Sequence, residues 1–403
     1  MKMLTDYRHI VGDKVITDIY KKARKLYGKP ILHINSTYMG GGVAEILNSL
    51  VPLMNDVGLN AGWRIIRGTT DLFTITKKFH NAIQGDPINL SEIKKKLYIS
   101  ANEDFSTYTH INHDLVVIHD PQPLPLVQFY NKRQPWIWRC HIDLSNPNPD
   151  LWEFFKGFII RYDSVIVSNE KYKKEDLPVE YSIFAPVIDP LTTKNMELSD
   201  KDIARYLKKF NVPTDKPIIT QISRFDKWKD PIGVIDVFKL IKEKVDCRLV
   251  MCGSMASDDP EGIIIYEKVK QRAKELIESG DVILITSENN VLVNALQRSS
   301  AVVIQKSLKE GFGLTVTEAL WKETPVIASN VGGIPLQIVD GKNGFLVEPQ
   351  DKQGFADRAL EILKNPSLGE DIGKEAKEYV RKHFVITRLL SDYLGLFNEL
   401  LTC

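Results

Sequence analysis

The 403-residue chain carries 53 lysines and arginines against 52 aspartates and glutamates, for a formal charge of +1, with 43% hydrophobic and 26% charged residues. Such near-neutrality creates no global field to recruit nucleic acid or an anionic membrane, so any bound anion must be held by local cations. The length is large for one core and suits two domains of about 200 residues each.

Up to about residue 28 the chain reads as an amphipathic preamble, with Ile16, Ile19, Tyr20, Ala23 and Leu26 at helical spacing. Its mixed charges read as neither a secretory leader nor a membrane span. The four cysteines Cys140, Cys247, Cys252 and Cys403 are scattered, which argues against a zinc site and suits a reducing, cytoplasmic setting.

After Pro30 strand-like runs appear at 31–35, 63–67, 115–119, 137–140 and 164–168, with helical segments at 43–57 and 151–160 among them. Strands separated by helices imply crossover units and a parallel sheet. The stretch from Phe184 to Thr193, holding Pro186 and Pro190, has little periodicity and is expected to be the linker. A second series follows, with strands at 218–222, 248–252, 282–285, 301–304, 326–328 and 345–347 and helices near 233–244, 264–278 and 290–297. Long helices at 352–364, 367–383 and 386–401 end the chain. No internal repeat or low-complexity tract is evident.

Several strand exits carry chemistry. Gly40-Gly41-Gly42 follows the first strand and lets backbone approach a phosphate without a Cβ in the way. His119 and His141 each follow a strand of the first half, in His119-Asp120-Pro121-Gln122-Pro123 and Arg139-Cys140-His141-Ile142-Asp143-Leu144-Ser145. A histidine there serves equally as a structural hydrogen-bonding residue, and Asp143 as a turn cap. Asn146, Asn148 and Trp152 could touch a sugar or belong to loop and core. Arg224 and Lys229 leave the strand 218–222. Two cations at one strand exit suit a diphosphate leaving group: arginine grips through a planar fork and lysine acts as a point charge. The competing reading is a solvated basic loop.

Lys309-Glu310-Gly311-Phe312-Gly313-Leu314-Thr315-Val316-Thr317-Glu318 is the densest motif. It sets two carboxylates eight residues apart around a Gly-x-Gly turn that opens a helix. A strand, a glycine turn and a helix N-terminus concentrate backbone N–H donors. Glu310 and Glu318 can then accept hydroxyl hydrogen bonds on either side of a phosphate, which suits a nucleotide-sugar. The DxD string Asp200-Lys201-Asp202 lies in a charged helical stretch and reads as a solvated face, and Asp258-Asp259 as a loop before Pro260.

These motifs, followed by Thr324-Pro325-Val326-Ile327-Ala328 and Gly332-Gly333-Ile334-Pro335, resemble a retaining glycosyltransferase of family 4. The motifs of the first half are most similar to those of trehalose-forming glycosyltransferring synthases and the related trehalose phosphorylases. The resemblance implies an α/β protein of GT-B architecture: two Rossmann-like domains whose parallel sheets face each other across a cleft. Residues 1–187 would be the acceptor domain and 188–383 the donor domain, with a final helix of about 384–403 packing back on the first. One departure is Glu323, where relatives more often have glycine in the turn before the Thr-Pro-Val strand.

By that resemblance the substrates are glucose and an ADP-, UDP- or GDP-glucose. The catalytic group would be Arg224, Lys229, Glu310 and His141. Arg224 and Lys229 would hold the diphosphate with backbone N–H groups near Leu314 and Thr315, and with Gly41 and Gly42. Glu318 would accept the ribose hydroxyls. Glu310, with Gly311, Phe312 and Gly313, would hold the transferred glucose. The base would pack near Ser287, Asn290 and Val291. Asp143, His119 and His141 would take the acceptor. No acceptor-side nucleophile stands out, which favours front-face transfer in which the leaving phosphate takes the acceptor proton. No cofactor or metal is required, although magnesium could stimulate. Small sugars and nucleotides are the expected partners, with a homodimer compatible and no nucleic acid or membrane. A trehalose phosphorylase and a sucrose- or glucan-type transferase are the alternatives, and outside that class a dinucleotide oxidoreductase or a two-lobed sugar-binding protein. The glycine spacing at 40–42 does not match the dinucleotide fingerprint.

Overall fold

The computed structural model describes residues 2–39, 41–253 and 260–401. It falls into two compact units, Met1–Val187 with Ile386–Cys403, and Ile188–Val385.

The first unit opens with α1 (Arg8–Arg24), kinked at Gly12, whose φ of 82° lies outside helical space. Then follow β1 (Pro30–Asn35), α2 (Gly42–Asp56), β2 (Asn60–Ile65), α3 (Thr70–Ile83), α4 (Glu92–Tyr108), β3 (Leu115–His119), β4 (Trp136–Arg139), α5 (Pro149–Ile159), β5 (Ser164–Val167) and β6 (Glu180–Ile183). The six strands form one sheet in the order β2-β1-β3-β4-β5-β6, with parallel pairing throughout. One face packs Leu32, Ile34, Val116, Ile118, Trp136 and Trp138 against Phe79, Tyr98 and Phe155 of α3, α4 and α5. The alternation of strand side chains therefore sends His33, His119 and Arg139 to the other face.

The second unit contains α6 (Asp200–Lys209), β7 (Ile218–Ile222), α7 (Pro231–Lys242), β8 (Arg248–Cys252), α8 (Pro260–Arg272), α9 (Lys274–Glu278), β9 (Val282–Ile285), α10 (Asn290–Ser299), β10 (Ser300–Gln305), α11 (Leu314–Trp321), β11 (Val326–Ser329), β12 (Phe345–Val347), α12 (Lys352–Lys364) and α13 (Pro366–His383). Its six strands run β12-β11-β10-β7-β8-β9, again all parallel. The larger core lies between the sheet and α7, α8 and α12, with Phe238, Met251, Ile304 and Phe355 at its centre. A smaller core under α6 and α10 covers the other face. Finally α14 (Ile386–Leu401) belongs to the first unit, packing on α1 and α2. Lys22 Nζ of α1 donates to the Ser391 carbonyl at 3.1 Å and to its hydroxyl at 2.9 Å.

Differences from the sequence reading have local causes. β2 pairs from Asn60, three residues before the expected start, because it aligns Asn60 with Pro30 of β1 rather than following its own apolar run. β6 is half-exposed at the sheet edge, with too few apolar residues to register as a strand. The helix expected over 264–278 is broken at Ala273 into α8 and α9. Asp200 and Asp202 lie in the first turn of α6, where Ser199 caps the helix. Cys140, Cys247 and Cys252 are buried free thiols; Cys403, Asp258, Asp259 and Gly40 lie outside the described residues. Among the described residues no helix is long and apolar enough to cross a membrane.

Candidate active site

In the second sheet β7 has β10 on one side and β8 on the other, so the strand order reverses between β7 and β10. Open parallel sheets take ligands at the carboxyl edge of such a reversal. The exits of these two neighbouring strands carry Arg224, Lys229 and Glu310.

After β7, Asp226 accepts hydrogen bonds from the N–H of Trp228 at 2.9 Å and of Lys229 at 3.2 Å, which turns the chain into one 3-10 loop. Gln221 Nε2 donates to the Lys229 carbonyl at 2.9 Å. Asp230 follows with φ 44° and ψ 52°, a left-handed residue that caps α7 by accepting from Gly233 N at 3.0 Å. Its other carboxylate oxygen pairs with Lys306 Nζ, and the Lys306 side chain is only 1% exposed. The loop that presents Lys229 is thus held from below by a buried cation on the next strand exit. Gly253 is pressed on the same loop: a Cβ there would sit 1.8 Å from the Ser223 carbonyl oxygen, so only glycine fits.

Lys229 Nζ contacts Glu310 Oε2, which also accepts from the Ser307 hydroxyl at 3.3 Å. Arg224 projects outward, its side chain 61% exposed and 3.3 Å from Asp226. The Gly-x-Gly turn follows, with Gly313 at φ 86° as the residue before α11. The first N–H groups of α11, at Leu314 and Thr315, have no partner within the helix by the geometry of a helix start. Gly333 backs this turn, since a Cβ there would meet the Gly311 carbonyl at 2.7 Å. Gln337 ties it down by donating to the Phe312 carbonyl while accepting from Thr317 Oγ1 at 2.6 Å.

Glu318 is 2% exposed on α11. One carboxylate oxygen lies 3.6 Å from Lys194 Nζ, and the other is buried without a partner among the described residues. Lys322, one turn on, donates to Asn195, Gln297 and the Glu318 carbonyl at 3.0, 2.8 and 3.0 Å, and burial lowers its pKa to about 7. Ser287 and Val291 are half-buried and Asn290 exposed around the start of α10, which Asn289 caps.

The turn before β11 resolves the departure at Glu323. Its φ is 60°, so the turn keeps a left-handed geometry with a side chain where glycine would be unstrained. Gly373 of α13 lies so close that a Cβ would meet the Glu323 carbonyl oxygen at 2.0 Å. Lys377 pairs with the Glu323 carboxylate at 2.9 Å.

In the first sheet the order reverses between β1 and β3. Gly41, at φ 80°, precedes α2, and Gly42 is its first residue. His33 of β1, His119 at the end of β3 and His141 after β4 form a hydrogen-bonded row. His33 Nδ1 is 3.0 Å from His119 Nε2, and His119 Nδ1 is 3.0 Å from His141 Nε2. Burial lowers the pKa of His33 to about 3 and holds His119 and His141 well below the usual histidine value. Asp120, at φ 60°, accepts from His141 N at 2.8 Å, and burial raises its carboxyl to about 6. Arg139 is buried beside them, its Nη2 donating to the Ser168 hydroxyl at 3.2 Å and to the Phe184 carbonyl.

Asp143 is half-buried and its Oδ1 accepts from Ser145 N at 2.8 Å, a turn cap of the kind the sequence allowed. Asn148 caps α5 through Leu151 N, and Trp152 is in the core with its indole N–H on Asp176, so both serve structure. Asn146 is exposed. The sequence reading missed His33, Lys306 and Lys194. A histidine inside an apolar strand and a lysine directly after one were the available signals, but their partners are set by strand register and loop return.

Residues 33–174 match the family model described as trehalose synthase, N-terminal domain, and residues 202–379 match glycosyl transferases group 1. The chain is 49% identical over 402 residues to a trehalose synthase of Thermococcus litoralis, covering 99% of this chain and 97% of that protein. It is 41% identical over 411 residues to a trehalose synthase of Rubrobacter xylanophilus, covering 99% and 97%. Among solved structures, a UDP-forming α,α-trehalose-phosphate synthase of Burkholderia xenovorans in complex with glucose-6-phosphate superposes with a TM-score of 0.74 at 12% identity, over 93% of this chain and 100% of that one. The likeness in fold to that GT-B enzyme and the full-length likeness in sequence agree: this chain belongs to the trehalose synthase family, within the family 4 glycosyltransferases.

Proposed function

We propose that the chain transfers glucose between a nucleoside diphosphate and the anomeric hydroxyl of a second glucose, retaining configuration and forming α,α-1,1-linked trehalose. The observation that carries this reading is the meeting of Lys229 with Glu310 at the β7/β10 reversal. A diphosphate cation and a carboxylate for sugar hydroxyls are neighbours there, as phosphate and glucose are neighbours in the donor.

On this reading Arg224 and Lys229 stabilise the charge that grows on the leaving diphosphate, joined by the N–H groups at the start of α11. Glu310 gives up its contact with Lys229 to accept hydroxyls of the transferred glucose. Glu318 accepts the ribose hydroxyls, a role supported by its buried oxygen without a partner among the described residues. The leaving phosphate accepts the acceptor's proton on the same face, so no enzyme nucleophile is called for. Asp143 and His141 of the first unit take the acceptor, while both ring nitrogens of His119 are engaged by the neighbouring histidines, which leaves it behind His141 rather than on the sugar. The two clamp cations supply the charge a metal would otherwise bring, with magnesium at most a stimulant.

Incubation with glucose and ADP-, UDP- or GDP-glucose, followed by NMR of the product, tests the proposal. The α,α-1,1 disaccharide is expected. Any other linkage would remove trehalose as the product, and trehalose breakdown by inorganic phosphate alone would replace transfer with phosphorolysis. For the ribose contact, calorimetry of Glu318→Ala with free nucleoside diphosphate should show at least tenfold weaker binding, since a hydrogen bond to a charged group contributes about 1.5–3 kcal/mol. Unchanged affinity would exclude that role.

A further inference from the structure

We infer that His33 and His119 are positioning residues: with His141 they form a one-way hydrogen-bonded chain that holds His141 as a neutral Nδ1–H donor for a sugar or phosphate oxygen. The contact to ligand rests on the proposed transferase reading; the polarity of the chain does not.

The geometry allows two arrangements. A neutral imidazole carries one N–H and one lone pair, and each internal nitrogen pair at 3.0 Å shares a single proton. The three rings must therefore all carry the proton on Nδ1 or all on Nε2. The ends of the row decide between them. His33 Nε2 and His141 Nδ1 are both buried without partners among the described residues. His33 is wholly enclosed, 0% exposed, with Tyr393 edge-on to its ring. His141 is half-buried at the carboxyl edge of the sheet, where ligands bind. A buried N–H without an acceptor is rarer and more costly than a lone pair without a donor. The arrangement with every proton on Nδ1 leaves only a lone pair at the sealed end, and it puts the partnerless N–H on His141, the one ring of the row that is partly exposed.

The neighbouring groups agree with a neutral row. Arg139, packed beside it, disfavours an imidazolium, and Asp120 is engaged by the His141 backbone N–H rather than by a ring nitrogen. The ring centroids of His33 and His119, and those of His119 and His141, are 5.3 Å apart, so each ring meets the next edge to edge through its N···N contact. A chain of polarised hydrogen bonds also transmits a change at one end to the other.

The test is ring nitrogen NMR on the full chain, free and with trehalose. In the free protein at neutral pH, all three Nδ1 atoms should show the protonated, pyrrole-type shift and all three Nε2 atoms the pyridine-type shift. A protonated Nε2 on His141, or an imidazolium, overturns the inference. Trehalose should then move the His141 Nδ1 resonance and, through the row, those of His119 and His33. In His119→Leu the His141 response should remain and the His33 response should vanish. If that variant does not fold, the wild-type tautomers and the propagated shift decide alone. Trehalose binding that leaves the three rings unmoved refutes the inference. An absence of trehalose binding by calorimetry counts instead against the transferase reading, while the free-protein tautomers still decide the polarity of the row.

Discussion

The two sheets each reverse their strand order once, and the two reversal points manage polar groups in opposite ways. At β7/β10 the groups are charged and paired: Lys229 with Glu310, Lys306 with Asp230, and Arg224 exposed beside Asp226. At β1/β3 no carboxylate among the described residues meets a ring nitrogen of the row His33–His119–His141, and burial discharges it. The difference teaches that burial without a counter-ion neutralises an imidazole, whereas the cations of the other edge are met by carboxylates. The first edge is suited to anionic oxygens, the second to directional hydrogen bonds.

The sharpest break of this comparison is at the charged edge. Arg224→Ala and Lys229→Ala should each lower turnover about 100- to 1,000-fold, the usual loss for one stabiliser of developing charge. The melting temperatures should differ. Arg224 is exposed and its loss should leave Tm unchanged, whereas Lys229→Ala leaves Glu310 short of its counter-ion and should lower Tm. Near-normal turnover in both variants would rule out the clamp.

Lys306→Met tests whether the charged edge is supported from below. Breaking a buried pair strands one charge, and about 3 kcal/mol of stability should be lost in denaturant titrations. Unchanged stability would mean that the contact with Asp230 contributes nothing to holding the loop.

Asp143→Asn asks whether the first unit also uses a formal charge for binding. Asparagine keeps the acceptor for Ser145 N, so Tm should hold, while loss of a charged hydrogen bond to acceptor glucose should raise the glucose KM roughly tenfold. A lowered Tm with an unchanged KM would make Asp143 a turn cap alone.

A pH series on stability sharpens the neutral side. Histidines with depressed pKa bind protons in the unfolded state first, so stability falls as pH drops from about 6.5, by up to about 1.4 kcal/mol per pH unit for each proton. Asp120, raised to about 6, works the other way: the folded state holds its proton while the unfolded state has lost it, so stability falls as pH rises from the ordinary aspartate value of 3.8 to about 6. Asp120→Asn removes that opposing slope, so acid unfolding between about pH 4 and 6 should be steeper than in the parent. An unchanged slope would show that Asp120 titrates normally. The smallest effect is expected at Glu323→Gly. Relief of the left-handed strain by about 1 kcal/mol is partly offset by loss of the Lys377 pair, leaving a Tm shift of a degree or two in differential scanning calorimetry. A clear fall in Tm would show that the Lys377 pair outweighs the strain.

Much of the fold was legible because its strands are short, mainly apolar and followed by polar turns. The strands 115–119, 248–252 and 282–285 coincide with their hydrophobic runs to within one residue, and 218–222 is bounded by isoleucines. Polar or half-exposed elements were not legible. β6 is strand only because β5 pairs with it, and α3 and α4, amphipathic but lying between weak signals, passed unmarked. The charged edge was largely readable, since Arg224, Lys229 and Glu310 sit in short motifs whose backbone geometry is local: an Asp cap at Asp226 and a left-handed glycine at Gly313.

What the sequence by itself determined was therefore the alternation of strands and helices, the glycine turns and the cations and carboxylates at the strand exits, because these depend on neighbours a few residues apart. Only the tertiary structure decided that Lys306 meets Asp230 and that His33 meets His119. These contacts depend on which strands lie side by side and on their register, and no pattern within either segment encodes a partner 76 or 86 residues away. The same limit applies to charge: whether a histidine at a strand exit is charged or neutral follows from what encloses it, and only the folded chain supplies that enclosure.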